Sequence, residues 1–162
     1  MAERVLRPAP LTAAAFAPFG DVLEATGAPD MVINAGRCGR FHDRARLDFG
    51  DGRAGLSLFR ADACPLPHVF DLVERHPLGS QAFLPLSDDP FLVIVAEDAD
   101  GQPGRPRAFL SAPGQGVNLL RGTWHGVLTP LVDATFAVLD RVGDGVNLQE
   151  HRYGTPWSVA PP

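Results

Sequence analysis

The chain has 162 residues and a formal net charge of −5, with 45% hydrophobic and 20% charged residues, and its mean hydropathy is +0.01. That length suits one domain, residues 1–162, able to bury a core without metals or disulfides as staples, and the composition excludes a largely disordered chain. The acidic balance argues against nucleic acid as a partner, which needs a clustered basic face. No apolar run is long enough to span a membrane, and the N-terminal Met-Ala-Glu-Arg-Val-Leu-Arg-Pro lacks the apolar core of a signal peptide, so a cytoplasmic protein with no membrane partner is expected.

The 14 basic residues are all Arg. Planar guanidinium groups suit anion binding, although a GC-rich genome accounts for the bias equally well. Arg37, Arg40, Arg44 and Arg46 alternate with Asp43 and Asp48, which reads as mixed charge. Cys38 and Cys64 lack the short spacing of metal ligands, so two reduced, buried thiols are expected. The 17 Gly and 16 Pro are scattered throughout, which favours many short strands over long helices.

In chain order, residues 3–7 alternate weakly and suit an edge strand ended by Pro8 and Pro10. Thr12 caps a short helix over 13–17, which Pro18-Phe19-Gly20 ends. Strands over 21–24 and 31–33 flank a Gly-Ala-Pro-Asp turn. Residues 34–43 set polar side chains between glycines, a pattern for a shaped loop. This loop is a second candidate site, with a plain solvated surface loop as the competing reading.

A strand over 54–61 puts Leu56 and Leu58 on one face. Further strands are expected over 68–76, 80–86 and 91–95, the last apolar on both faces and so deeply placed. Residues 97–107 are the clearest exposed loop. Short strands follow at 108–110, 117–120, from Trp124-His125, and at 134–141, while the Pro- and aromatic-rich tail 147–162 carries no assignment. Roughly ten short strands in one domain predict a mainly β fold with a few short helices, closed as a barrel or two-sheet jelly roll that hides its edges and holds a ligand at its mouth.

The chemistry concentrates in Glu74-Arg75-His76-Pro77-Leu78-Gly79-Ser80-Gln81. Glu74 and His76 are two apart and share a face on a strand. Gln81 follows a Pro-Leu-Gly turn, and His125 arrives late in Arg121-Gly122-Thr123-Trp124-His125. Singly, each suits a surface pair or a half-buried core residue. Together they resemble the cupin metal pattern His-x-His-x4-Glu with a later Gly-x-x-His, with Glu74 at the first His position and Gln81 at the Glu position. Two imidazoles and a carboxylate suit a divalent metal held by Glu74, His76, Gln81 and His125. The same residues also suit metal-free acid–base work, and the weak ligand strength of the Gln81 amide moves the balance toward weak or dispensable metal binding.

The run from Glu74 through Phe83-Leu84-Pro85, the segment Gly116-Val117-Asn118-Leu119-Leu120-Arg121-Gly122-Thr123-Trp124-His125, Asn34-x-Gly36 and Arg40-Phe41-His42-Asp43 resemble the ureidoglycolate lyase family over most of the chain. One departure is Gly126, where members often have a second His. The resemblance implies a homodimeric cupin-type enzyme that splits (S)-ureidoglycolate into glyoxylate and urea in allantoin breakdown, with nickel or a similar divalent ion as a family cofactor. It implies Glu74, His76 and His125 as catalytic groups and Gln81, Arg40, Asn34 and His42 as substrate contacts. Arg40 is the choice for the substrate carboxylate because it lies in the matching Arg-Phe-His-Asp segment, whereas Arg75 points away from Glu74 and His76 on a regular strand. Other readings are another small-acid cupin enzyme, an isomerase or dioxygenase, and a non-catalytic binding cupin.

Overall fold

A computed structural model of the chain describes residues 4–162. Two sheets face each other across a shared core. The larger runs in the order Val5–Leu6, Gln149–Val159, His68–Arg75, Trp124–His125, Phe91–Ala96, Arg107–Leu110 and Ala9–Pro10, with Thr129–Pro130 also paired to Phe91–Ala96. The smaller runs Gly20–Leu23, Gly116–Leu119, Gln81–Pro85, Ala134–Val142 and Arg53–Ala61. All these pairings are antiparallel except those of the two short N-terminal strands. The architecture is mainly β, two sheets packed as a jelly roll, and the edge strand expected over 3–7 appears at Val5–Leu6, with residue 3 outside the described residues.

Alternation explains how the core divides. Phe91, Val93 and Val95 point between the sheets to join Phe83, Val117, Leu119, Phe136 and Val138. Leu92 and Ile94, on the opposite face, pack with Leu6, Trp157 and Val159. A strand apolar on both faces is thus needed because both faces are covered. The helix is shorter than expected, Ala13–Phe16, and begins where the Thr12 hydroxyl accepts a bond from Ala15 N at 3.2 Å. It delivers Phe16 against Phe19 and edge-on to Phe109, with ring centroids 5.6 Å apart in the second pair.

Gly20 is set by close approach: a Cβ there would overlap the Asn118 carbonyl oxygen across the ladder. Gly20→Ala is expected to cost about 3 kcal/mol or more, because two paired backbones must separate, and the shift of the urea midpoint measures it.

Several elements differ from the sequence expectation. Residues 34–43 are not simply a loop: Met31–Ile33 and Cys38–Arg40 pair as a hairpin, closed by Asn34, Ala35 and Gly36, all at positive φ. The exposed stretch 97–107 carries a ribbon, Asp98–Ala99 with Gln102–Pro103. The unassigned tail forms an eleven-residue strand, Gln149–Val159, along His68–Arg75. Its Gly154-Thr155-Pro156 falls where the register breaks between Arg152 and Trp157, so Pro156 removes no ladder bond. Leu56 and Leu58 do share a face, but that face looks outward, and they are 72% and 70% exposed. The two cysteines are free and half-buried rather than buried.

Candidate active site

The stretch from Glu74 to Gln81 is a crossover between the two sheets, and this creates the site. Glu74 lies near the end of His68–Arg75, directly across from His125, which is in turn across from the core residue Val95. Glu74 and His125 therefore point between the sheets. His76 follows at the strand's end, where its carbonyl accepts from Gly122 N at 2.9 Å. The chain then turns through Pro77, Leu78 and Gly79. Gly79 is wedged so tightly that a Cβ would lie 2.8 Å from Arg141 Cβ and 2.9 Å from the Asp48 carbonyl oxygen. Ser80 is pinned by donating its N–H to the Asp48 carbonyl at 2.7 Å while its hydroxyl accepts from Asp48 N at 2.8 Å. Gln81 then begins a strand of the facing sheet, across from Leu119 and Asp140.

The hydrogen bonds determine which ring nitrogens are available. His76 Nδ1 lies 2.7 Å from the Asn147 carbonyl oxygen, and His125 Nδ1 lies 2.9 Å from that of Gly126. A carbonyl oxygen only accepts, so both Nδ1 atoms carry a hydrogen, and in the neutral form of each ring Nε2 holds the lone pair. Both Nε2 atoms are buried without a protein partner, and the two rings sit 5.2 Å apart. One ligand atom from each of Glu74, His76 and His125 lies within 4.8 Å of the others.

Burial sets the charge state. It pulls His125 down to about 4, outweighing the opposing effect of the Gly126 carbonyl bond, so the ring is neutral near pH 7. Burial also raises the Glu74 carboxyl above its ordinary value; His76 partly offsets this, and Glu150, across the ladder, adds to it. Two imidazoles oriented through Nδ1 with Nε2 unpartnered, together with one carboxylate, form a donor set that fits a divalent first-row ion with open positions for substrate.

The wall behind His125 is braced from outside. Arg75 projects to the opposite side from Glu74, as alternation requires. Its guanidinium lies 4.4 Å from the Trp124 ring centroid, and it pairs with Asp98 at 2.7 Å. Asp98 also accepts from Trp124 Nε1 at 2.9 Å. On the inward side, His125 lines an apolar cavity with Phe83, Val93, Val117 and Leu119.

Asn34, His42 and Arg40 lie on or beside the hairpin, all exposed. Arg40 Nη1 reaches Met31 Sδ at 4.0 Å, and the His42 N–H donates to Asp30. Among the described residues, no hydrogen bond joins any of these three to Glu74, His76 or His125, so within one chain they are not gathered with the cluster. Two residues that support the site are absent from the sequence reading. Asn147 holds His76 through its carbonyl and the Leu78 N–H through Oδ1 at 2.8 Å. Asp140 accepts from Gln81 Nε2 at 3.1 Å. Asp140 had a signal, a lone acid in the alternating row Phe136, Val138, Asp140, whereas nothing local marked Asn147.

The fold and the cluster define a β jelly roll with an enclosed Glu–His–His site at one end. The chain matches the family model described as ureidoglycolate lyase over residues 3–160. It is 67% identical over 152 residues to a ureidoglycolate lyase of Rhodobacter capsulatus, covering 93% of this chain and 94% of that protein. It is 50% identical over 153 residues to ureidoglycolate lyase 2 of Rhizobium meliloti, covering 93% and 94%. This chain belongs to the ureidoglycolate lyase family. Among solved structures, a mutant of Bacillus subtilis oxalate decarboxylase is 13% identical over 65% of this chain and 23% of that one, with a TM-score of 0.37, a likeness too loose to carry an argument about chemistry.

Proposed function

We propose that the protein, working as one domain over residues 1–162, is a cytoplasmic homodimer that cleaves (S)-ureidoglycolate to glyoxylate and urea. The observation that carries the reading is the pair of buried, unpartnered Nε2 lone pairs beside Glu74 in a chain so similar to named ureidoglycolate lyases. The substrate carbon bears a hydroxyl, a carboxylate and a urea nitrogen. As the hydroxyl proton leaves, its electron pair forms the glyoxylate C=O; the C–N pair departs with nitrogen, which takes up a proton as urea forms.

His76 accepts the hydroxyl proton at Nε2, the ring atom left without a protein partner once Nδ1 is held by the Asn147 carbonyl. The urea nitrogen receives a proton from that imidazolium or from Glu74, whose carboxyl holds its proton more tightly than usual. His125, kept neutral by burial, presents a lone pair that orients the hydroxyl or an N–H. His125 is therefore not the donor to the nitrogen, since a neutral ring protonated at Nδ1 has no proton on Nε2 to give. Nickel or a similar divalent ion, if bound, would be held by Glu74, His76 and His125 and would act as a Lewis acid on the hydroxyl or carboxylate.

Two features support the dimer. The chain exposes 8920 Å², against about 7,800 Å² expected for a monomer of 17.3 kDa. Leu56, Leu58, Leu84 and Leu86 are exposed on the outer face of the smaller sheet, a row that suits a second copy of the chain. Arg40, Asn34 and His42, exposed and apart from the cluster within one chain, would reach substrate only if a second copy brought them to the site, with Arg40 then the clamp for the substrate carboxylate. Leu58→Glu is expected to halve the mass measured by light scattering; an unchanged dimer would remove this face from the interface.

The function is tested by incubating purified protein with racemic ureidoglycolate and measuring glyoxylate, urea and ammonia separately, before and after chelation. Urea with glyoxylate supports the lyase. Ammonia in place of urea indicates amide hydrolysis instead, and absence of turnover with and without added metal sinks the reading.

A further inference from the structure

The Gln81–Asp140 pair selects one end of an amide. Gln81 shares its strand face with the core residue Phe83, and Asp140 shares its face with Val138 and Phe136, so both side chains belong to the interior. Gln81 is 7% exposed and donates from Nε2 to Asp140 Oδ2 at 3.1 Å. An ionised carboxylate has no hydrogen to give, so the NH2 end must face Asp140 and the carbonyl end must face away. That carbonyl oxygen, Oε1, is buried and has no protein partner, the same condition as His76 Nε2 and His125 Nε2. Leu119, directly across from Gln81, lines the cavity that His125 also lines. The interior therefore presents acceptors that lack donors.

A buried acceptor without a partner is costly unless a ligand supplies the donor. The two halves of the substrate differ in this respect. The ureido half carries several N–H donors; the glyoxylate half carries one donor, the hydroxyl whose proton His76 takes, beside carboxylate oxygens that only accept.

We propose that Asp140 is a positioning residue that locks the Gln81 amide with its carbonyl oxygen toward the substrate, making Gln81 the acceptor for the ureido N–H groups. The inference rests on the ureidoglycolate reading and assigns the end of the cluster that holds the urea half. Without the carboxylate, the amide is free to turn its NH2 toward the substrate, donor against donor.

The test is steady-state kinetics on the unsubstituted protein, D140N, D140E, Q81M and Q81M/D140N, with inhibition by each product and thermal melting for every variant. Asparagine keeps the size of aspartate but offers both a donor and an acceptor, so it no longer selects the amide orientation. D140N is expected to raise KM for ureidoglycolate about tenfold, with a smaller change in kcat, which corresponds to loss of roughly one hydrogen bond. Inhibition by urea weakens by a similar factor, while inhibition by glyoxylate stays within twofold. D140E, which again only accepts, recovers part of the urea affinity. Q81M weakens urea to the same degree, and Q81M/D140N adds nothing further, because both act through one contact.

Urea inhibition unchanged in D140N, equal weakening of urea and glyoxylate, or additive losses in the double variant would each overturn the proposal. A loss of melting temperature with unchanged inhibition constants would reduce Asp140 to a structural role. If D140N does not fold, Q81M and D140E alone decide, since loss of urea discrimination in Q81M with retention in D140E is still required. Failure of the unsubstituted protein to turn over ureidoglycolate is a separate outcome that overturns the function and this inference together.

Discussion

His125→Ala lowers kcat/KM for ureidoglycolate by roughly 10²–10⁴-fold, the range expected when a group that exchanges or orients a proton is lost, and leaves the fold intact. Stability holds because two effects oppose each other. The variant loses the Nδ1 bond to the Gly126 carbonyl, worth about 1 kcal/mol, but it also removes a buried Nε2 that has no partner. The pH dependence of stability tests the same environment. The unfolded chain protonates this ring below its ordinary 6.5, whereas the folded protein does so only near 4. Between those values the unfolded state binds the extra proton, so acid favours unfolding, and the contribution is lost as pH falls from 6.5 toward 4. Between pH 7 and pH 5 the unsubstituted protein should lose about 2 kcal/mol more than His125→Ala. Denaturant melts at the two pH values measure the difference; parallel losses would mean that the ring is not held neutral.

Phe136→Ala is expected to cost about 3–5 kcal/mol. The side chain is fully buried on the inward face of Ala134–Val142, edge-on to Phe91 with centroids 5.1 Å apart. It sits across from Phe59 on one neighbouring strand and Pro85 on the other, while its contact with Phe91 joins the two sheets, and no adjacent side chain can move in without breaking register. Against a total of about 5–15 kcal/mol, the loss should lower the melting midpoint by roughly 6–20 °C. A drop of less than a few degrees would show that the core refills the space. Because Phe136 contacts neither imidazole, kcat below the new midpoint should change far less than in His125→Ala.

The two substitutions separate what each part of the molecule does. Phe136 holds the sheets together, while the cluster that faces it contributes little to stability and carries unpaired polar atoms. A site that keeps buried acceptors without donors is less stable than an apolar core of the same shape, and that cost is recovered when substrate or metal binds.

Much of this was legible in the sequence because it depends on local rules. The Thr12 cap follows from hydroxyl reach, the doubly buried strand Phe91–Ala96 from its unbroken apolar run, and the shared side of Glu74 and His76 from the period of a strand. Other features depend on partners distant in sequence. The tail strand Gln149–Val159 has weak local character, with Gly154 and Pro156 in its middle, and forms because His68–Arg75 offers it an open edge. Leu56 and Leu58 alternate as core residues would, yet face outward, since alternation assigns a shared side and not which side is covered.

By itself the sequence determined that short strands would pair into a jelly roll, that Glu74, His76, Gln81 and His125 were the chemically informative residues, and that they resembled one family. The tertiary structure alone decided that the stretch from Glu74 to Gln81 passes from one sheet to the other, setting Gln81 and Asp140 on the sheet that faces the two histidines. It also decided which nitrogens are free, because the carbonyl that holds His76 belongs to Asn147, 71 residues away. Spacing along a chain sets which side of a strand a residue takes; what that residue meets there is set by register with segments that no local pattern can name.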